Sequence, residues 1–591
     1  MKITKKILSV LLTLVLMMSV IIIPTSHASA LEEDDDNQIK GTFKCDWFSE
    51  SLTYPYTYSN KWFYDSSFKY NHDVATFALE LSMASFKSFD KNDLDKNIEK
   101  LYKECGFEVE SLGYETEAYD SIGVSFGKKE IFTGGGSYTL ICLAIRSGNY
   151  GLEWGGNMRI GKGEAHEGFE IGKNKAIEYF NQYLSNKKIE GRVKILIPGY
   201  SRGASVANLM AAALDDGTYK SVIKGKDNIA ELEIQKNDMF VYTFEAPQCT
   251  SAKNTNENTY KNIFNIVNPS DYVPKFIMSD WGFSLYGTTL YLPSAENVEN
   301  YDEYYKELCN NFDSMMGVNL KKSSDVFYNA ADSLSVNAML DNVLSGMGKS
   351  VFKSQKYYAE NYENGLIFMA ANYMTQRLGL KDILKTVAVI IGSTATGCLP
   401  ANASVIKKEG YRSYLAKKIS ESEAGNGLSK KDCEGLLEFL ADTLAYVKAN
   451  KYDFRGFLGQ MKTIIYVHQP YVELTWMKTI EEHDIKHANI RYSSPLAVSF
   501  DNLKLPYRAK ATLLTSYDKD NYTVKWESSD KDIAKVDKNG TVTAMSRGVT
   551  QITATLVDKD GKEFVTKEIN VTVHLNTVQL LIYSIRSLIK K

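Results

Sequence analysis

Two hydrophobic patterns alternate along the first half of the chain. Tyr138 to Ile145 (YTLICLAI), Val193 to Ile197, Met239 to Phe244 (MFVYTF) and Ile263 to Val267 are short, nearly unbroken apolar runs. Such runs are typical of strands buried on both faces. Phe107 to Tyr114 and Ser121 to Phe126 read as further short strands. Between them, Asn71 to Phe86, Lys91 to Cys105 and the segment that follows Phe169, to about Leu184, space their apolar residues as helices do. This alternation predicts an α/β fold, a mainly parallel sheet joined by crossover helices.

The pattern then changes twice. From about Tyr301 to Lys462 helical spacing dominates, for instance over Asp382 to Val389 and Gly435 to Lys448, which predicts an inserted helical cap or a helical subdomain. Beyond about Ile490 the chain becomes all-β. Apolar alternation marks Tyr522 to Trp526, Ile533 to Val536, Thr541 to Thr543 and Ile552 to Leu556, with hairpin turns at Asn539-Gly540 and Asp560-Gly561. A small sandwich over 491–575 fits this spacing. Val578 to Lys591 reads as a short helix docked on a neighbour, or a surface-seeking tail.

The N-terminus carries basic Lys2, Lys5 and Lys6, an apolar Ile7 to Ile23 and a small-residue Ala28-Ser29-Ala30. That order predicts a signal peptide over 1–30, and Pro24 favours cleavage over a retained anchor. The expectation is a protein that is secreted or associated with the cell surface, its first domain spanning 31–490. A net charge of −3 implies no basic surface, so nucleic acid is excluded as a partner. Seven scattered cysteines without a C-x-x-C disfavour both a zinc site and a disulfide scaffold, and an odd count leaves at least one unpaired within the chain.

Candidate chemistry centres on Gly199-Tyr200-Ser201-Arg202-Gly203, which follows a predicted strand and opens a helix rich in small residues. A serine on such a turn is a candidate nucleophile, and glycines two residues either side let the backbone segments approach closely. It needs an imidazole to take its proton and a carboxylate to fix the imidazole tautomer. His72 and His574 are poorly placed in the predicted order. His483 and His487, four apart on a charged helix, fit a solvated face better than a metal pair, although either stays open as an alternative base. His166 precedes the serine, whereas His468 follows it and satisfies the chain order of serine, acid, histidine. Asp271, in a Pro-bounded turn after a strand, is the candidate acid or a simple Asx turn; Asp238 and Asp280 are its rivals. The glycine-rich loop from Arg146 to Asn157 stands at the end of a central strand. It reads as a source of oxyanion-binding N–H groups or as a plain surface loop.

Taken in order, Ile145-Arg146-Ser147-Gly148, His166-x-Gly168-Phe169, Gly199-x-Ser201-x-Gly203, Thr243-Phe244-x-Ala246-Pro247 and Asn268-x-x-Asp271-x-Val273-Pro274 resemble the class 3 (fungal-type) lipases. The resemblance covers about 70–275 and the region of His468. It implies an α/β-hydrolase-type sheet with a helical insert, with Ser201 as nucleophile, Asp271 as acid and His468 as base. The N–H of Arg202 and the Ser147-Gly148 loop would form the oxyanion hole. Tyr200 and Arg202 depart from the family, which usually has His before the serine and a small or apolar residue after it. Arg202 would place a cation near the mouth, favouring acidic or phosphorylated acyl substrates, or form a structural ion pair. Val524-Lys525-Trp526-Glu527-Ser528-Ser529, Ile533-Ala534-x-Val536, Gly540-Thr541-Val542 and Gly548 resemble a bacterial immunoglobulin-like group 2 domain, whose members are spacers or adhesion modules. The resemblances imply a secreted serine hydrolase of carboxylic esters, triacylglycerol lipase-like, with an acyl-enzyme and without cofactor or metal. Its partners would be an ester or lipid substrate and a cell-surface or glycan contact. The alternatives are a non-catalytic adhesin on a hydrolase scaffold, or an acyltransferase or peptidase using the same triad.

Overall fold

The computed structural model describes residues 38–575 apart from 217–232, 317–321, 362–402, 423–427, 451–455, 491–495, 518–521 and breaks of one to three residues. The proposed signal peptide, the helical stretch Asp382 to Val389 and the C-terminal segment Val578 to Lys591 lie outside the described residues.

The chain opens with an antiparallel hairpin, β1 (Ile39–Trp47) and β2 (Glu50–Tyr58), that the hydrophobic pattern did not predict. Most of its apolar residues are aromatic and interleaved with Lys, Thr and Ser, so the run looks loop-like. Phe43, Tyr54, Tyr56 and Tyr58 nonetheless bury in the core beside helix His72–Ala84.

The central sheet has seven strands whose spatial order equals their chain order: β3 (Glu108–Leu112), β4 (Val124–Thr133), β5 (Gly136–Ile145), β6 (Arg192–Tyr200), β7 (Glu233–Phe244), β8 (Ile263–Val267) and β9 (Thr288–Tyr291). From β5 to β9 every pairing is parallel, while β3, β4 and β5 form an antiparallel edge. β4 runs farther than predicted, because the charged Lys128, Lys129 and Glu130 in its second half break the apolar pattern. Alternation along the strands divides the molecule into two cores. Ile141, Leu143, Ile195, Ile197 and Val241 meet helices Glu167–Lys187 and Ser201–Asp215 on one face. Leu140, Cys142, Leu196, Phe240 and Tyr242 meet helices His72–Ala84 and Pro470–Thr479 on the other. Both faces are covered, which is why these strands read as unbroken apolar runs.

The helical region includes Tyr301–Met316, Ala330–Met347, Gln355–Asn361, Glu409–Ser420 and Lys430–Ala449. The last begins with a capping box in which the Ser429 and Asp432 side chains bond each other's backbone N–H. The insert reaches the loop after β5. Gln355 Nε2 donates to Gly161 O (3.0 Å) and Gly163 O (2.9 Å), and Tyr358 Oη donates to Met158 O (3.0 Å). The chain then returns to the sheet through Pro470–Thr479, with proline at the helix start where its missing N–H costs nothing.

The remaining strands are β10 (Ala497–Val498), β11 (Asn502–Pro506), β12 (Lys510–Thr512), β13 (Thr515–Ser516), β14 (Tyr522–Ser528), β15 (Ala534–Val536), β16 (Thr541–Ala544), β17 (Gly548–Asp558) and β18 (Glu563–His574). A four-stranded sheet ordered β11-β18-β17-β14 and a three-stranded sheet ordered β12-β16-β15 enclose Leu505, Val542, Ile552, Leu556 and Val571. Gly540 (φ 77°) and Gly561 (φ 83°) make the two turns read from the sequence. Asn342 Nδ2 donates to Thr515 O (3.1 Å), tying the helical insert to this module. Among the described residues six cysteines are free thiols, five of them buried.

Candidate active site

β6 ends in Gly199-Tyr200, and the helix Ser201–Asp215 begins at the next residue. The reversal leaves Ser201 at φ 50°, a left-handed conformation that costs a non-glycine residue about 1 kcal/mol or more. Both flanking glycines are required. A Cβ on Gly199 would lie 2.6 Å from Gly203 O, and one on Gly203 would lie 2.0 Å from Ser147 Oγ and 2.7 Å from Ile145 O.

Ser201 Oγ lies 2.9 Å from His468 Nε2, and His468 Nδ1 lies 2.5 Å from Asp271 Oδ2. The Asp271 side chain is fully buried, and its Oδ1 accepts the N–H of Val273 (2.8 Å). Asp271 is thus an Asx turn and the imidazole's partner at once, one oxygen for each. With Nδ1 donating to the carboxylate, Nε2 is left as an acceptor facing the serine hydroxyl. Tyr200 holds the imidazole from the other side. Its Oη donates to His468 O (2.8 Å), and the two rings stack with centroids 5.5 Å apart.

The other candidates have different partners. His72 bonds Met477 O and Tyr70 Oη, each at 2.9 Å. His166 is fully buried, stacked on Phe169 (3.9 Å) and bonded to Asn157 O (3.2 Å). Burial, with Arg202 nearby, pushes its pKa down to about 3. His483 is exposed beside Glu481 and Asp484, and His487 lies on the same helix. His574 ends β18. Asp238 pairs with Lys194 (2.5 Å), and Asp280 meets Ser345 Oγ (3.2 Å).

The parallel register Ile145↔Gly199 brings Ser147 level with Ser201 on the neighbouring strand end. The Ser147 hydroxyl donates to Ile145 O (3.2 Å), and Gly148 packs so closely on Phe86 that a Cβ would lie 2.4 Å from the ring. The N–H of Arg202 belongs to the first turn of the helix, where backbone donors lack intrahelical acceptors. The Arg202 side chain is not the cation at the mouth that the sequence left open. It is buried, with Nη1 donating to Asn157 Oδ1 (3.2 Å) and the guanidinium 5.9 Å from the Phe169 ring.

Three carboxylates were missed. Glu153 is buried and bonded to Arg146, an ion pair within the glycine-rich loop. Glu245 follows β7 at φ 49°, fully buried, in hydrogen-bonding contact with Asp271 and with Glu473 of helix Pro470–Thr479. Burial pushes Glu245 well up and Glu473 up to about 8. Only an acid just after a buried strand hinted at Glu245. Nothing in the pattern hinted at Glu473.

Residues 145–281 match the family described as lipase (class 3). The chain carries a class 3 lipase-like domain. That match supports a carboxylic ester hydrolase. Residues 508–569 match the bacterial Ig-like domain (group 2), so the lipase-like domain is followed by an immunoglobulin-like one. Similar solved structures include Rhizomucor miehei triacylglyceride lipase, at 13% identity over 37% of this chain and 79% of that one, with a TM-score of 0.25. A lipase from Rhizopus microsporus var. chinensis shows 12% identity over 37% and 73%, with a TM-score of 0.27. Lipase II from Rhizopus niveus shows 14% identity over 37% and 79%, with a TM-score of 0.24. No curated protein matches the chain.

Proposed function

We propose that the lipase-like domain cleaves carboxylic esters, lipids among them, by a covalent acyl-enzyme mechanism with Ser201 as nucleophile, His468 as base and Asp271 as its partner. The observation that carries this reading is the unbroken chain of contacts from Ser201 Oγ through His468 to Asp271 at 2.9 and 2.5 Å. In the first step His468 Nε2 takes the serine proton as Oγ attacks the ester carbonyl. The resulting imidazolium is stabilised by Asp271 and returns the proton to the leaving alcohol. The oxyanion would meet the N–H of Arg202 and an N–H of the Ser147-Gly148 loop, donors fixed before the charge develops. Water then repeats the sequence on the acyl-enzyme. The protein acts outside the cell, with the immunoglobulin-like module as a spacer or as a contact to the cell surface or its glycans.

Fluorophosphonate labelling tests the reading, because only an activated serine reacts. Wild type is expected to label and to hydrolyse short-chain nitrophenyl esters, and Ser201→Ala to do neither. Wild-type turnover by Ser201→Ala excludes this serine, and an unlabelled wild type favours a binding protein on a hydrolase scaffold.

A further inference from the structure

Behind Asp271 stand two more buried carboxyl groups, and the pattern of their contacts tells where the protons are. Glu245, Asp271 and Glu473 expose at most 1% of their surface. Glu245 Oε1 accepts the N–H of Asn268 (2.7 Å). No donor reaches Glu245 Oε2 or Glu473 Oε1 among the described residues, although both oxygens are inaccessible to solvent. Glu245 lies within hydrogen-bonding range of Asp271 and Glu473, both acceptors when ionised. Carboxylate oxygens in such contact require a proton between them, as like charges this close cannot all ionise.

Resting on the serine-hydrolase reading, we propose that Glu245 is a positioning residue, a neutral carboxylic acid whose O–H donates to Asp271, with Glu473 as a second neutral acid behind it. One negative charge is then shared by three carboxyl groups and rests on Asp271, where His468 needs it. Among the described residues the titratable groups facing the pair include Asp271 after β8, Tyr200 at the end of β6 with Tyr272 beside it, Tyr70, on which Glu473 acts, and His468 in contact with Asp271. The backbone supports the assignment. Glu245 occupies φ 49°, where glycine is at ease and a glutamate is strained, and such strain persists where the side chain is held by its surroundings.

Ionisation of Glu473 creates a second acceptor for the single Glu245 proton, so Asp271 loses its donor as pH rises. Wild-type kcat is therefore expected to decline above about pH 8, where Glu473 titrates, and Glu473→Gln to abolish the decline. Glu245→Gln keeps a donor toward Asp271, and its kcat at neutral pH is expected within about threefold of wild type. Glu245→Gly relieves the backbone but deletes the donor. A drop in kcat of about tenfold to a hundredfold with KM unchanged is expected, the scale of a lost hydrogen bond to a charged group. Difference infrared spectra of wild type against Glu245→Gln read the carbonyl stretch of a buried carboxylic acid without any turnover. A missing band, or a Gln variant as impaired as the Gly variant, overturns the proposal. Should wild type fail to label or turn over, the hydrolase reading fails, and the infrared comparison still decides where the proton is.

Discussion

Tyr200 occupies the position where the resemblance led us to expect a histidine, and its partners explain the exchange. The phenol reaches the backbone of His468 while its ring forms one wall of the imidazole slot. Tyr200→Phe keeps the wall and loses the donor, leaving a buried carbonyl short of a partner. We expect kcat for a short-chain ester to fall about fivefold to tenfold with KM unchanged, measured at steady state. His166 makes a different prediction. Its folded pKa of about 3 lies below the ordinary imidazole value of about 6.5. Between those values the unfolded chain binds a proton that the native chain refuses, so stability is lost as pH falls through this window. The slope contributed is at most about 1.4 kcal/mol per pH unit. Denaturant midpoints between pH 7 and 4 should fall less steeply for His166→Gln than for wild type.

At the scale of elements, the strand–elbow–helix unit tolerates no side chain at Gly203, because the obstacle includes the Ile145 carbonyl, which is part of β5. Gly203→Ala is expected to cost about 1–3 kcal/mol or more in urea denaturation and to displace Ser201 as well. Helix Pro470–Thr479 carries an opposite pH signature to His166. Burial raises Glu80, which faces its Lys478, to about 7, and Glu473 to about 8. Raised carboxyl values mean that the native state holds protons the unfolded chain releases, so stability declines from about pH 4.5 towards pH 8. Melting temperatures across that range should decline less for Glu473→Gln. These elements also show what the sequence could tell. The central strands were legible because burial on both faces makes them uniformly apolar; Ser201, Asp271 and His468 could be picked out as candidates because each sits at a turn with its own chemical marker. The β1–β2 hairpin, Glu245 and Glu473 were not. An aromatic hairpin mixed with polar residues has no clean period. A buried glutamate in a helix looks like any solvated one until its neighbours are known.

Across the whole molecule, the immunoglobulin-like module touches the lipase-like half through the insert, with strands β10 and β13 packed on helix Ala330–Met347. A chain ending at Ile490 should therefore keep its ester turnover per molecule and melt at a lower temperature, since that helix loses its cover. Thermal denaturation beside a nitrophenyl ester assay separates the two effects.

Ser201 and His468, which meet in the folded chain, are separated by 267 positions, with the entire helical insert between them. A ribosome delivers the chain from its N-terminus, so the elbow and the acid emerge while the imidazole is still to be made. An unfinished chain thus holds a serine with nothing to take its proton. On the proposed mechanism, esterolytic power would arrive only with the last part of the lipase-like domain, after most of the molecule has been synthesised.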